Sequence, residues 1–273
     1  MTTDITADIT VTVIMHREGA LALPALASMR DMVERARGAG LAVEARAVLD
    51  RADEATRRFV ALRGDWLDAV QEVSVGDLGL ARNAGVAAAR GRFLAFLDGD
   101  DLWGAEWLLR AQAAATASGA PDEAIWHPEL LYYFTESDFD RHSMTEKPQP
   151  SAQSFLMHHS PSTGHGFNRD VLFLNNIWTA NVVASRNLHL RYPYAAVDRS
   201  RGFGVEDWSW NLQTLWAGIP HLVVADTVHI IRVKDTGSLG QQNAAEGLLP
   251  HLPDGATPRL SRANPSTHRT TPA

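Results

Sequence analysis

Short apolar runs alternate with amphipathic stretches along the first half of the chain. The run at residues 9–15 is rich in β-branched side chains and ends before the polar residue His16, which predicts a buried strand followed by a loop. Across residues 21–37 the apolar side chains recur at helical spacing, and Gly38 follows as a stop signal. The first predicted unit is therefore a strand followed by a helix.

The same alternation continues through most of the chain. It predicts further strands at residues 43–49, 70–75, 93–97, 125–134 and 222–233, helices at 53–63, 80–89, 103–117 and 208–217, and a regular stretch at 177–184. Repeated strand–helix units favour an α/β fold with a doubly wound, mainly parallel sheet flanked by helices.

Two segments break this regularity. Residues 136–168 collect His, Ser, Pro and Gly, which predicts a long loop or an insertion, and the histidines His158, His159 and His165 lie there without spacing suited to one metal ion. Residues 241–273 are rich in Pro, Thr, Ser and Arg, which predicts a disordered tail.

Polar residues follow several of the predicted strands directly. They are His16, Asp50, Asp77 and Asp98. Ligands of doubly wound sheets bind beyond the carboxyl ends of the strands, so these side chains are expected to lie around one binding crevice. Each alone is equally compatible with a strand that simply ends in water.

Composition and net charge exclude several classes of binding partner and metal site. The net charge of −7 provides no positive field for nucleic acid or anionic lipid, and the absence of cysteine excludes disulfides and thiolate metal sites. The first ten residues lack the pattern of a secretory signal, and no apolar run reaches the ~20 residues of a membrane span. We therefore expect a soluble, cytoplasmic protein that binds neither nucleic acid nor a bilayer.

The acidic cluster Asp98-Gly99-Asp100-Asp101 follows a strand that is expected to be buried. Three carboxylates so close together repel one another, and a hard cation such as Mg²⁺ or Mn²⁺ relieves that repulsion. An acidic turn that caps the following helix explains the cluster equally well. Both interpretations stay open on the cluster alone.

The cluster belongs to a longer pattern. The segment Asp77-Leu78-Gly79-Leu80-Ala81-Arg82-Asn83-Ala84-Gly85, then Ala89-Arg90-Gly91-Arg92-Phe93, then Leu97 with the acidic cluster, resembles the signature of inverting family 2 glycosyltransferases with the GT-A fold. The resemblance implies a metal-dependent enzyme in which Asp100 ligates a divalent cation (Mn²⁺ or Mg²⁺). It places Asp98 on the ribose or the metal's water shell, and it includes Asp101 in the donor site without a definite role.

Two later motifs resemble the same family. In Gly204-Val205-Glu206-Asp207-Trp208, the resemblance makes Asp207 the catalytic base with Glu206 beside it, although both acids would also stabilise a helix N-terminus. His229 resembles the histidine that completes the family's metal ligand set. Arg232 and the Gly-Ser-containing loop after it resemble a segment that folds over the donor diphosphate. A histidine in an apolar strand is also commonly structural.

The nucleoside end of the donor is less defined. The resemblance assigns Asp50 to the base or ribose and Arg82 to the phosphates or base, with His16 and Glu18 in the first loop, although an arginine on a helix is usually solvated. The family often has a proline and an asparagine in that loop, whereas the loop of this chain has His16, Arg17 and Glu18 in their place. The nucleobase is therefore not defined by these residues, and a UDP-sugar is only the default donor.

The predicted function is inverting transfer of a sugar from a nucleoside-diphosphate donor to a hydroxyl of a glycan or glycolipid, as in bacterial polysaccharide synthesis. The expected domain spans residues 1–240, with a donor-binding half at about 1–102 and a smaller acceptor-side half at about 103–240. The alternatives are a nucleotidyltransferase and a non-catalytic nucleotide-sugar-binding partner of another transferase.

Overall fold

A nine-stranded mixed sheet organises the protein in the computed structural model, which describes residues 4–135, 154–234 and 238–253. The strands are β1 (Ala7–Met15), β2 (Val43–Asp50), β3 (Ala69–Val73), β4 (Gly91–Asp98), β5 (Leu102–Trp103), β6 (Ile125–Thr135), β7 (Phe155–His158), β8 (Val183–Ser185), β9 (Phe203–Gly204), β10 (His221–Val233) and β11 (Leu249–Pro250). The α-helices are α1 (Ala22–Gly38), α2 (Glu54–Arg63), α3 (Leu78–Ala88), α4 (Trp107–Ala117), α5 (Arg186–Arg191), α6 (Glu206–Trp216) and α7 (Leu239–Ala245).

The strand order in the main sheet is β3-β2-β1-β4-β8-β6-β10-β5, with β7 paired to β6. Strands β3, β2, β1 and β4 run parallel, as the strand–helix repeats predict. Strand β8 is antiparallel to both β4 and β6, and β10 lies parallel to β6. The predicted α/β fold with a mainly parallel sheet flanked by helices is confirmed.

Alternate side chains of the buried strands face two different helical layers. Ile9, Val11 and Val13 of β1 pack in one core cluster with α1, α2 and α4, whereas Ile14 packs in a second cluster with α3, α5 and α6. The strands are apolar on both sides because helices cover both faces of the sheet. The carboxyl ends of β1, β2 and β4 are left free between these layers.

Three stretches differ from the predicted elements. The helix expected from residue 103 begins at Trp107, because Trp103 pairs with His229 at the edge of the sheet. Of the regular stretch expected at 177–184, only the end belongs to a strand, β8. The helix expected from residue 208 begins at Glu206.

Part of the expected disordered tail is ordered. Residues 241–253 include most of α7 and all of β11, and β11 pairs with β9. Leu248 packs against Gly204, where an added Cβ would lie only 2.8 Å from the leucine side chain. This packing lies between segments distant in sequence, which local composition does not reveal. Residues 254–273, like most of the predicted loop at 136–168, lie outside the described residues.

None of the helices described is both long and apolar enough to cross a membrane.

Candidate active site

A cavity of about 530 Å³ lies at the carboxyl ends of β1, β2 and β4. The predicted site residues that line it are His16, Glu18, Asp50, Asp77, Asp98, Asp100, Asp101, Glu206 and Arg232. Three predicted residues are absent from its lining: Arg82, Asp207 and His229. The fold thus gathers the strand-end residues in one crevice, as expected for a sheet of this type.

The acidic cluster is held in place by a close approach of backbone segments. A Cβ added to Gly99 would lie 2.9 Å from the carbonyl oxygen of Ile14 and 3.0 Å from Cγ of Glu18, so only glycine fits. The turn after β4 therefore packs directly on the loop after β1.

Two of the clustered carboxylates pair with cations of the protein. Asp98 accepts a bond of 2.6 Å from Arg82, and Asp100 lies 2.8 Å from the ammonium of Lys234. The sequence predicted a metal ion because the clustered carboxylates repel one another. In the structure, Arg82 and Lys234 already offset part of that repulsion. Lys234 was not identified from the sequence, although it follows Arg232 at the two-residue spacing that places strand residues on one face.

Asp101 is buried and points toward β10. It accepts a hydrogen bond of 3.0 Å from the backbone N–H of Arg232 and lies 3.1 Å from Nε2 of His229. Burial raises the pKa of Asp101 to about 6, although His229 counteracts this. Asp101 thus joins the acidic turn to the last long strand.

His229, predicted as a metal ligand, is fully buried between Asp101 and Asn181, whose amide nitrogen lies 2.9 Å from Nε2. Within the described residues, no three His, Asp or Glu side chains are arranged to hold one ion. Asp98 and Asp100 do line the cavity, and Mg²⁺ at nucleotide sites commonly takes one or two carboxylates together with phosphate oxygens. The residues present fit a cation shared with a diphosphate rather than a closed protein site.

Arg82, predicted to face the donor, is instead completely buried. Its guanidinium bonds both to Asp98 and to Glu206, and it lies over the ring of Tyr194. Burial opposes the charge, but Asp98 and Glu206 outweigh it and raise the pKa of Arg82. This one side chain connects the acidic cluster to the Glu206-Asp207 motif.

The Glu206-Asp207 motif forms the first turn of α6. Val205, directly before it, has a φ of 55°, which is rare for a β-branched residue. Asp207 accepts hydrogen bonds from Asn176, at 2.9 Å, and from the backbone N–H of Trp208, at 2.7 Å. Burial, followed by the charge of Glu206, raises the pKa of Asp207 to about 7.

Asp50 and Asp77 hold backbone. The carboxylate of Asp50 accepts the N–H groups of Val75 and Gly76, each at 2.9 Å, and that of Asp77 at 3.2 Å. Asp77 caps α3 and also accepts the N–H of Val197 at 2.8 Å. Both carboxylates line the cavity, but they already accept hydrogen bonds from backbone N–H groups and so hold the cavity walls in place.

In the first loop, Glu18 accepts a bond of 2.6 Å from the backbone N–H of His16. Burial raises the pKa of Glu18, although that bond opposes the shift. The ring of His16 contacts the carbonyl oxygen of Asp50 through Nδ1. The loop is thus fixed to the end of β2.

The pattern of glycosyl transferase family 2 matches residues 53–173, a segment that contains Arg82 and the whole acidic cluster. This segment is similar to glycosyl transferase family 2, and it makes up less than half of the chain. Glu206, Asp207 and His229 lie beyond the matched segment. No curated protein matches the chain.

Several solved structures share the fold of this chain. Residues 1–349 of S. aureus TarS in complex with UDP-GlcNAc match at a TM-score of 0.59 and 15% identity, over 84% of this chain and 60% of that chain. Mannosyltransferase PcManGT from Pyrobaculum calidifontis, in complex with GDP-Man and Mn²⁺, matches at a TM-score of 0.55 and 16% identity, over 89% and 64%. The chain therefore spans about three fifths of these structures and shares their fold.

Proposed function

We propose that this protein transfers a sugar from a nucleoside-diphosphate donor to a hydroxyl group, with inversion at the anomeric carbon. The supporting observation is the bridge made by Arg82, which joins Asp98 to Glu206 at one cavity of about 530 Å³. Donor-side carboxylates and the motif that carries a candidate base are thereby held together, as direct displacement requires.

The donor diphosphate is proposed to lie against Asp98 and Asp100. Asp98 and Asp100 would hold a divalent cation there, and that cation would supply positive charge to the departing diphosphate. Arg232 and Lys234 line the same cavity and add positive charge from the chain itself. Because similar folds are recorded with UDP-GlcNAc and with GDP-Man, both uracil and guanine donors belong in the first test.

Asp207 is proposed as the base that takes the proton of the attacking hydroxyl. A pKa of about 7 suits proton transfer at neutral pH. An ionised carboxylate can accept about four hydrogen bonds. Asp207 accepts two in the structure and can therefore accept a further one from a hydroxyl group. Glu206 is engaged by Arg82 and therefore acts as a positioning residue for the first turn of α6.

The base assignment predicts that Asp207→Asn lowers transfer by about 10²–10⁴-fold and leaves donor affinity nearly unchanged. For the wild type, activity should rise with pH through about 7 as Asp207 loses its proton. Initial rates from pH 5.5 to 8.5, with donor binding by calorimetry, check both statements. A variant with full activity would remove Asp207 from the mechanism.

The donor assignment is tested by incubating the protein with UDP- and GDP-sugars and Mn²⁺ or Mg²⁺, and measuring released nucleoside diphosphate and thermal stability. We expect one donor class to stabilise the protein, more strongly with the cation. The proposal fails if no nucleotide sugar stabilises the protein or is consumed.

A further inference from the structure

A second cavity, of about 590 Å³, lies among residues 157–177. It is formed by the end of β7 and the chain that follows. The lining residues are Met157, His158, Ser160, Pro161, Gly164, His165, Gly166, Phe167, Asn168, Val171 and Ile177. Its volume lies in the range of about 300–1,000 Å³ typical of sites for small organic ligands.

The walls of this cavity are held by hydrogen bonds to the core. Ser162 donates its N–H to the carbonyl of His221 at 2.8 Å, and its hydroxyl oxygen accepts the N–H of His221 at 2.9 Å. The indole of Trp178 donates to the carbonyl of Ser160 at 3.0 Å and stacks on Phe167. The cavity is therefore preformed.

The segment that contributes Val171 and Ile177 to the lining also contacts the first turn of α6, through residues outside the lining. Asn176, the neighbour of Ile177, donates to Asp207 at 2.9 Å, and Trp208 donates its indole N–H to the carbonyl of Leu172 at 2.6 Å. One short segment thus both lines the cavity and orients the start of α6.

From this arrangement we infer that the second cavity is the acceptor subsite and that it takes a neutral carbohydrate. The inference rests on the proposed function, because an acceptor subsite requires a transferase. It adds the place and the chemical class of the group that receives the sugar.

The chemistry of the walls supports a neutral sugar. None of the lining residues is Asp, Glu, Lys or Arg. Met157, Phe167, Val171 and Ile177 offer apolar surface to the C–H face of a pyranose, while His158, Ser160, His165 and Asn168 offer hydrogen bonds to hydroxyl groups. An anionic acceptor such as a polyol phosphate would meet no charged partner among these residues.

Binding can be measured without turnover. Saturation-transfer NMR with the methyl glycosides of glucose, galactose, mannose and N-acetylglucosamine should show contact between the wild-type protein and at least one glycoside. Glycerol phosphate serves as the anionic comparison. Absence of binding by every glycoside, or binding of glycerol phosphate alone, would overturn the inference.

Variants locate the site. Phe167→Ala and His165→Ala should each weaken the bound glycoside about tenfold, a factor that corresponds to about 1.4 kcal/mol. The controls are Phe173→Ala, which removes an aromatic ring outside the lining, and Thr163→Ala in the same turn. His165 is exposed, so its variant tests the site even if Phe167→Ala does not fold.

The two proposals fail in different ways. If the glycosides bind and the variants weaken them, but no nucleotide sugar is consumed, the carbohydrate site stands and the transferase proposal falls. If donors are consumed and the lining variants bind glycosides as the wild type does, the acceptor site lies elsewhere.

Discussion

Arg82 remains charged in the interior because two carboxylates surround it. The guanidinium is completely buried and pairs with Asp98 and Glu206. Removing one member of such a group leaves a buried charge without a partner, and this strongly destabilises the fold. Replacing the whole group by apolar side chains changes the stability much less. Arg82 is therefore both a stability determinant and the connection between the acidic cluster and the Glu206-Asp207 motif.

Arg82→Gln is expected to lower the free energy of unfolding by roughly 3–5 kcal/mol. The double variant Arg82→Gln/Glu206→Gln should lose less than the sum of the single variants, because the uncompensated carboxylate is gone. Urea denaturation of all four proteins measures the coupling. Arg92→Gln, which breaks an exposed pair with Asp122, is the control and should change stability by less than about 1 kcal/mol. Additive losses would contradict the bridge.

At the scale of elements, helix α6 begins from a strained residue. Val205 holds a φ of 55°, and it joins the short strand β9 to the turn that carries Glu206 and Asp207. A left-handed conformation costs a β-branched residue about 1–2 kcal/mol. The pairing of β9 with β11 and the packing of Leu248 on Gly204 hold this connection in place.

Val205→Gly should raise the free energy of unfolding by about 1 kcal/mol, because glycine adopts this φ without steric cost. Val70→Gly is the control: this exposed strand residue has no positive φ, so its replacement should be destabilising. Thermal and urea unfolding give both values. A loss of stability in Val205→Gly as large as that of the control would show that Val205 is not strained.

At the scale of the whole molecule, four of the buried histidines make stability depend on pH. Burial lowers the pKa of His159 to about 4, of His189 and His221 to about 3, and that of His127 well below its usual value. Unfolded histidines bind protons below about 6.5, so stability is greatest above that pH and falls as the pH drops toward the folded pKa values. Asp101 and Asp207, with raised pKa values, partly oppose this trend.

His189→Phe isolates one histidine. Its ring lies among Phe96, Tyr194 and Trp210, and neither ring nitrogen has a hydrogen-bond partner within the described structure. The variant should be more stable at pH 7 by about 1–2 kcal/mol. Its stability should also fall less steeply between pH 6.5 and 4, by up to about 1.4 kcal/mol per pH unit. Urea denaturation at several pH values checks both effects; equal slopes would contradict a neutral buried imidazole.

The sequence by itself determined the α/β fold and the gathering of strand-end residues, because apolar periodicity and strand-end polarity are local properties. Strand β1 and helix α1 begin and end within two residues of their predicted limits. The acidic cluster and His16 line one cavity because the carboxyl ends of parallel strands share one side of the sheet.

Only the tertiary structure decided what each side chain does there. Arg82 is a buried bridge rather than a donor ligand, because its partner Glu206 lies 124 residues away in the chain. Asp50 and Asp77 hold backbone from other loops, and His229 faces Asp101. The second cavity arises from β7 and the residues that follow it up to Ile177, and most of its lining lies in the stretch 136–168 that the sequence left as an irregular loop. Such contacts join segments that are distant in sequence. Residue spacing along the chain is a local property, so it does not reveal which distant side chain will be the partner.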